Sequence, residues 1–183
     1  MNSTASVSGD ERLRLFLALR VPAGVLDEIE GWQRKQLMGV RVVPREHLHV
    51  TLAFLGRRPT AELEAIVGAL REAAAGAGQI GLTPARYRET RSVGMLVLED
   101  EGGAAALVAG ALQESLEQLG VYRCEARPWL PHLTVARWRE RPRLLPEPPP
   151  RRTFVPSDAA AYLSRLHPAG ARYEVLESVA LGG

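Results

Sequence analysis

Residues 47–56 read His-Leu-His-Val-Thr-Leu-Ala-Phe-Leu-Gly, and residues 131–137 read Pro-His-Leu-Thr-Val-Ala-Arg. Each stretch contains His-x-Thr followed by a hydrophobic residue, once beginning at His49 and once at His132. With four histidines in 183 residues, random placement would give roughly 0.15 His-x-Thr matches. Two copies in strand-like surroundings therefore predict a repeated structural unit with an internal pseudo-twofold.

The first copy has the spacing of a strand with one polar face. Residues i and i+2 of a strand project to the same side of the sheet. His49 and Thr51 therefore project together, while Val50, Leu52 and Phe54 are predicted to project to the opposite side. The first strand thus presents an imidazole and a hydroxyl as a pair.

The second copy repeats this pattern. His132 and Thr134 share one face, and Leu133 and Val135 are predicted to face a core. Two such strands side by side would gather both imidazole–hydroxyl pairs over one cleft. The repeat therefore predicts a four-residue cluster.

Such a cluster is suited to cleaving a phosphodiester. The reaction needs one group that takes a proton from the attacking oxygen and another that protonates the leaving oxygen. Histidine, with an ordinary pKa of about 6.5, can serve as either, and threonine hydroxyls can donate hydrogen bonds to the non-bridging oxygens. This scheme requires neither a metal nor a cofactor. The near-identical motifs leave the assignment of acid and base open.

Two other interpretations compete with this one. A single His-x-Thr is more often a partly buried polar pair in a sheet, although two copies weaken that explanation. His47 shares a face with His49, so this His-x-His could form half of a zinc site and, with His132, a metallo-hydrolase. No acidic residue or cysteine accompanies these histidines at useful spacing, and we therefore expect no metal.

The apolar patterns predict an α+β protein with mainly antiparallel sheet. Helices are predicted after Pro22, after Gly103 and from Thr60, which would be the N-cap. A proline-rich surface loop is expected at 142–150, and a final hairpin turns at 167–170. The predicted strands cover about 12–20, 48–55, 80–90, 94–98, 132–138, 158–166 and 171–180.

Length and composition fit one domain with a substantial core, since 46% of the 183 residues are hydrophobic. We expect a disordered tail over residues 1–10 and a single domain over 11–183 built from two interleaved lobes. The tail lacks the features of a signal peptide, and no segment approaches the ~20 apolar residues that span a bilayer. Cys124 is the sole cysteine, which fits a reducing cytosol, so we expect a cytoplasmic protein. We expect a monomer because no long unpaired apolar stripe remains. The net charge of +2 does not by itself predict nucleic-acid binding.

The chain resembles the two-histidine (2H) phosphoesterases, in particular the LigT-like RNA 2′,3′-cyclic phosphodiesterases. The similarity extends over nearly the whole chain. His47 departs from the family, which more usually has an uncharged polar residue at this position. The residues that carry the resemblance are the opening strand at 12–19 with Val21-Pro22, the block at 47–56, Pro131-His132-Leu133-Thr134, and the final hairpin near Tyr173.

The resemblance implies a bilobal α+β fold with the two motifs facing each other across a central cleft. It implies hydrolysis of a terminal 2′,3′-cyclic phosphate on RNA to a 2′-phosphomonoester. His49 would be the proton donor and His132 the proton acceptor that activates water. Thr51 and Thr134 would hold the phosphate. Some members also join RNA ends through a 2′,5′ linkage, so RNA ligase activity is a further expectation.

Three more residues are candidates for substrate binding. Family members often carry an arginine three residues after the second threonine, which is Arg137 here. Strict alternation would place Arg137 on the side of Val135, so a bulge or the end of the strand is needed to bring it to the phosphate. A base could stack on Trp129 or on Tyr173.

Two alternatives to an RNA cyclic phosphodiesterase remain at this point. One is a non-catalytic module that binds RNA ends or nucleotides, and the other is a phosphodiesterase for a small cyclic nucleotide. Both motifs are complete, which favours an enzyme, because a binding module need not retain two proton-transfer groups. The sequence leaves the physiological substrate and the base specificity open, because RNA ends and small nucleotides share the same cyclic phosphate.

Overall fold

The computed structural model describes residues 11–168 and 170–182. The predicted tail at 1–10 lies outside these residues. None of the helices in the described ranges is long and apolar enough to cross a membrane. The helices are α1 (Ala23–Gln36), α2 (Leu63–Ala75) and α3 (Ala104–Gln118). The strands are β1 (Arg12–Arg20), β2 (Arg41–Val42), β3 (His49–Pro59), β4 (Gly81–Glu89), β5 (Val93–Glu101), β6 (His132–Arg137), β7 (Ala159–His167) and β8 (Gly170–Val179).

These strands form one antiparallel sheet. Its order is β4-β5-β6-β3-β1-β7-β8, and β2 pairs with β6 outside this path. The two motif strands, β3 and β6, are neighbours at the centre of the sheet. β1 flanks β3 in one half of the sheet, and β5 flanks β6 in the other half. The two halves meet where β3 pairs with β6, which we call the β3–β6 seam. The antiparallel α+β fold predicted from the sequence is confirmed, and one continuous sheet carries both halves.

The two faces of the sheet have different surroundings. On β1, Leu15, Leu17 and Leu19 are buried in the main core together with the apolar sides of the three helices. Burying one such leucine contributes about 1.5–3 kcal/mol. The alternating residues Phe16 and Ala18 face away from the helices and belong to a second, smaller cluster. β1 therefore presents one face to the main core, and the other, helix-free face is left for the site.

Thr60 is not the N-cap of α2. Its Oγ1 donates to the carbonyl of Glu11 at 2.8 Å, and its backbone N–H bonds to the same carbonyl at 3.0 Å. A short 3₁₀ turn over Thr60–Glu62 follows, and α2 begins at Leu63 without a side-chain cap. The predicted N-cap was wrong because the hydroxyl bonds to the chain entering β1 instead of to the helix amides.

β2 is a strand that the sequence pattern does not predict. It contains only Arg41 and Val42, too few residues to show a period of two. Arg41 pairs with Arg137, and Val42 with Ala136. This pairing brings the chain that precedes the first motif alongside the strand of the second motif, and it links the two halves.

Candidate active site

The four motif side chains meet at the β3–β6 seam. The strands pair antiparallel with Val50 opposite Leu133, and both of these residues are buried in the core. The flanking residues follow in opposite order on the two strands, so each imidazole lies across from the hydroxyl of the other copy. All four side chains are half-buried, on the face away from the helices. The facing pairs are His49 with Thr134 and Thr51 with His132.

β3 contains a β-bulge directly after its motif threonine. Ala18 of β1 pairs with Thr51, and Leu17 pairs with Ala53, so Leu52 has no residue opposite it. A bulge adds one residue to a strand and shifts the alternation beyond it.

β6 contains a bulge at the same position of its motif. Met95 of β5 pairs with Thr134, and Gly94 pairs with Ala136, so Val135 has no residue opposite it. The two copies therefore share a local distortion as well as a sequence pattern.

The two bulges turn one more residue of each strand towards the site. Phe54 and Arg137 both lie five residues after a motif histidine, and both line the same cleft. The prediction that Phe54 faces away from His49 was wrong, because strict alternation does not survive the bulge. The bulge that Arg137 would need in order to reach the site is present in β6.

A glutamine from a helix hydrogen-bonds to each bulge. Nε2 of Gln33, a buried residue of α1, donates to the carbonyl of Val135 at 2.8 Å and to that of Val43 at 3.0 Å. Nε2 of Gln113 in α3 donates to the carbonyl of Leu52 at 2.7 Å. Val135 and Leu52 hold equivalent positions in the two motifs. Each half thus supplies the glutamine that supports the bulge of the other half.

The motif face opens into a cleft of about 460 Å³. Five of the residues predicted for the site line it, and both bulges contribute to its wall. The predicted residues in the cleft wall are His49, Thr51, Thr134, Arg137 and Tyr173.

His132 does not line the cleft wall, although it lies across from Thr51 at the seam. Trp129 also lies outside the cleft wall. Its ring is half-buried and packs against the main core. Its indole Nε1 donates to the carbonyl of Thr51 at 2.9 Å. In this position Trp129 supports β3 from the side of the core.

Several known proteins are similar to this chain in sequence or in fold. A family model described as LigT-like phosphoesterase matches residues 19–87. The RNA 2′,3′-cyclic phosphodiesterase of Escherichia coli strain K12 is 28% identical over 181 residues, which cover 93% of this chain and 98% of that protein. The protein of the same name from Methanocaldococcus jannaschii is 26% identical over 129 residues, 68% of this chain and 71% of that protein. The crystal structure of TT0787 from Thermus thermophilus is 28% identical, with a TM-score of 0.80 over 93% of this chain and 99% of that chain.

The chain is similar to the LigT-like phosphoesterases, and the match includes the first motif. The resemblance seen in the two motifs is thereby confirmed. The matched family segment contains the first motif, and the match to the Escherichia coli protein extends along almost the whole chain.

The hydrogen bonding of His132 selects one tautomer of its ring. Nδ1 of His132 lies 2.8 Å from the carbonyl of Leu130. A carbonyl can only accept, so Nδ1 carries the hydrogen in this bond and the lone pair of a neutral ring is on Nε2. A neutral His132 held in this way can accept a proton only through Nε2.

His49 has a strongly shifted pKa. Burial is the main cause that lowers its pKa to about 4, and the nearby side chains of His47, Arg137 and His132 lower it further. A hydrogen bond with the backbone of His47 acts in the opposite direction. Without a bound anion His49 is therefore neutral at pH 7. Arg137 and His132 therefore lie close enough to His49 to affect its pKa.

Aromatic rings form the floor of the cleft beside His49. The ring of Phe16 stacks on His49 with centroids 4.8 Å apart and on Tyr162 at 4.7 Å. Tyr173 contacts Phe16 edge-on at 4.9 Å and lies 4.3 Å from the ring of His47. These contacts explain the burial of His49. They also leave Tyr173 and His47 at the wall, where a flat ligand could stack.

His47 contributes to the cleft wall but not to a cluster of metal ligands. Within residues 11–168 and 170–182, no three His, Cys, Asp or Glu side chains are grouped as metal ligands would be. The geometry therefore gives the zinc interpretation of His47 and His49 no support.

The sequence pattern does not identify several residues that shape the site. Gln33 and Gln113 act through hydrogen bonds to strands distant in the chain, and Arg41 lies in the two-residue strand β2. A polar residue on the apolar side of a helix is a weak signal for such a role. Gln33 has this signal, because it follows the buried Trp32 in α1.

Proposed function

We propose that this protein hydrolyses the terminal 2′,3′-cyclic phosphate of RNA to a 2′-phosphomonoester. The observation that carries the proposal is the diagonal arrangement of the two histidines, each across from the threonine of the other motif. Such an arrangement suits a phosphorus atom between a proton acceptor and a proton donor. The names of the two curated relatives support RNA as the substrate class.

In this mechanism His132 is the base. Its Nε2 takes a proton from water as the water oxygen attacks phosphorus. The bond between phosphorus and O3′ breaks, and protonated His49 gives its proton to O3′. The 2′ ester bond stays intact, so the product carries a 2′-phosphate and a free 3′-hydroxyl.

The remaining residues of the site stabilise the charge on phosphate. The hydroxyls of Thr51 and Thr134 donate to the non-bridging oxygens, and the guanidinium of Arg137 offers further donors in a planar fork. The negative charge of the phosphate favours the protonated form of His49 and so offsets the effect of burial on its pKa. Substrate binding would then generate the acid that the reaction requires.

The proposal is tested with an RNA oligonucleotide that ends in a 2′,3′-cyclic phosphate, incubated in excess chelator. The wild type should produce a 2′-phosphate. The His49→Ala and His132→Ala variants should each lose about 10²–10⁴-fold in rate, the range of one general acid or base. The His167→Ala variant serves as the matched control, because His167 is exposed in the final hairpin and should be dispensable.

The outcomes separate the candidate functions. RNA that binds without being hydrolysed would identify a binding module. Activity that chelator abolishes and zinc restores would identify a metallo-hydrolase. Ligation of RNA ends, in which a 5′-hydroxyl takes part in the reverse reaction, stays a prediction. So do the expectations of a monomer, of a cytoplasmic location, of one domain over 11–183 and of base stacking on Tyr173 or Trp129.

A further inference from the structure

Two arginines face each other on neighbouring strands at the edge of the site. Arg41 of β2 lies directly opposite Arg137 of β6, and both side chains line the cleft. Like charges directly opposite each other destabilise an antiparallel pair. Anions bound at the two guanidiniums would relieve this repulsion.

Within the described residues, no carboxylate relieves the repulsion between Arg41 and Arg137. None of the described side chains that line the cleft is acidic. Neither Arg41 nor Arg137 forms an ion pair within residues 11–168 and 170–182. Other arginines form ion pairs with carboxylates, for example Arg58 with Glu62 at 2.7 Å and Arg141 with Glu89 at 2.9 Å. The cleft thus concentrates positive charge in a chain whose net charge is only +2.

The guanidinium of Arg41 lies close to a glycine across the cleft. A Cβ on Gly170, at the start of β8, would come 3.1 Å from Nη2 of Arg41. The backbone of Gly170 also has a φ of 127°, which favours glycine. Arg41 therefore extends from β2 to the final hairpin, along the side of the cleft that carries Tyr173.

We propose that Arg41 binds a second phosphate, the phosphodiester one nucleotide before the cyclic phosphate. The proposal rests on the proposed function, in which Arg137 binds the cyclic phosphate itself. A mononucleoside cyclic phosphate carries one negative charge and leaves Arg41 without a partner. The preferred substrate class is therefore an oligonucleotide of two or more residues, with a charged linkage before the reacting end.

The test compares three substrates, of which the two dinucleotides differ only at this linkage. They are uridine 2′,3′-cyclic phosphate, a dinucleotide made by adding a 2′-deoxyuridine through a phosphodiester, and the same dinucleotide with a neutral methylphosphonate linkage. The wild type should show a kcat/KM about tenfold higher for the phosphodiester dinucleotide than for the other two, the range of one charge-assisted hydrogen-bonded contact. In Arg41→Gln the ratio between the two dinucleotides should fall to about one.

Arg34→Gln is the matched control, because Arg34 is an exposed arginine of α1 outside the cleft wall. It should keep the wild-type ratio. Equal kcat/KM for the phosphodiester and methylphosphonate dinucleotides in the wild type would overturn the proposal, as would an unchanged ratio in Arg41→Gln. If no cyclic phosphate is hydrolysed, the proposed function fails. The second-phosphate site is then decided by calorimetric titration with the same two dinucleotides, where equal affinities would overturn it.

Discussion

His49 couples the folding stability of the protein to pH. Burial lowers its pKa to about 4 in the folded protein, while the unfolded chain has the ordinary value of about 6.5. Between these values the unfolded state binds a proton that the folded state does not. The contribution of His49 to the free energy of unfolding therefore rises with pH across this window, by at most about 1.4 kcal/mol per pH unit. Above the window this stability is fully present, and it is lost as pH falls towards 4.

Replacing His49 with glutamine should remove this contribution, because glutamine does not titrate. The measurement is urea unfolding of the wild type and His49→Gln between about pH 4 and pH 7, in buffers free of phosphate. The difference between the two free energies of unfolding should change steadily across this range. His167→Gln, at an exposed position, should parallel the wild type. A His49→Gln variant that also parallels the wild type would show that burial does not control the protonation of His49.

At the scale of elements, the motif strands could be predicted from the sequence but their bulges could not. Alternation correctly places His49 and Thr51 on one face, because a period of two is a local property of a strand. It fails after the fourth residue of each motif, where Phe54 and Arg137 turn into the cleft. The extra residue is determined by pairing with β1 and β5, which are distant in the chain.

We predict that Gln33 stabilises the bulge in β6 and, through this bulge, the position of Arg137. Gln33→Leu removes the amide donor from the carbonyls of Val135 and Val43, and should lower the free energy of unfolding by about 1–3 kcal/mol. The relaxed bulge should also displace Arg137. We therefore expect a higher KM for the cyclic phosphate, measured well below the unfolding temperature.

A double-mutant cycle separates positioning of Arg137 from loss of stability alone. In an Arg137→Gln background, Gln33→Leu should have little further effect on KM. Gln113→Leu is the matched control, because Gln113 supports the other bulge, in β3. Any change in KM that Gln113→Leu causes should be the same in the wild-type and Arg137→Gln backgrounds. An equal effect of Gln33→Leu in both backgrounds would contradict the role of Gln33 in positioning Arg137.

At the scale of the whole molecule, the two halves support each other across a narrow seam. β3 and β6 pair at Val50 and Leu133, whereas β1 pairs with β3 along its length. β2 and the two glutamines supply further contacts between the halves. The repeated motif predicts the pseudo-twofold, but these contacts join segments that are distant in the chain and leave no periodic signal in the sequence.

The cleft charge predicts how activity on RNA responds to salt. Each phosphate contact with a single strand contributes about −0.7 to the slope of log affinity against log salt concentration. Contacts from Arg137 and Arg41 should therefore give a slope of about −1.4 for log kcat/KM on the phosphodiester dinucleotide. Arg41→Gln should reduce the slope to about −0.7, while Arg34→Gln should leave it unchanged. The measurement is kcat/KM over a range of potassium chloride concentrations at fixed pH. The same slope in the wild type and in Arg41→Gln would mean that Arg41 does not contact phosphate. The concentration of charge in the cleft would then serve only the cyclic phosphate.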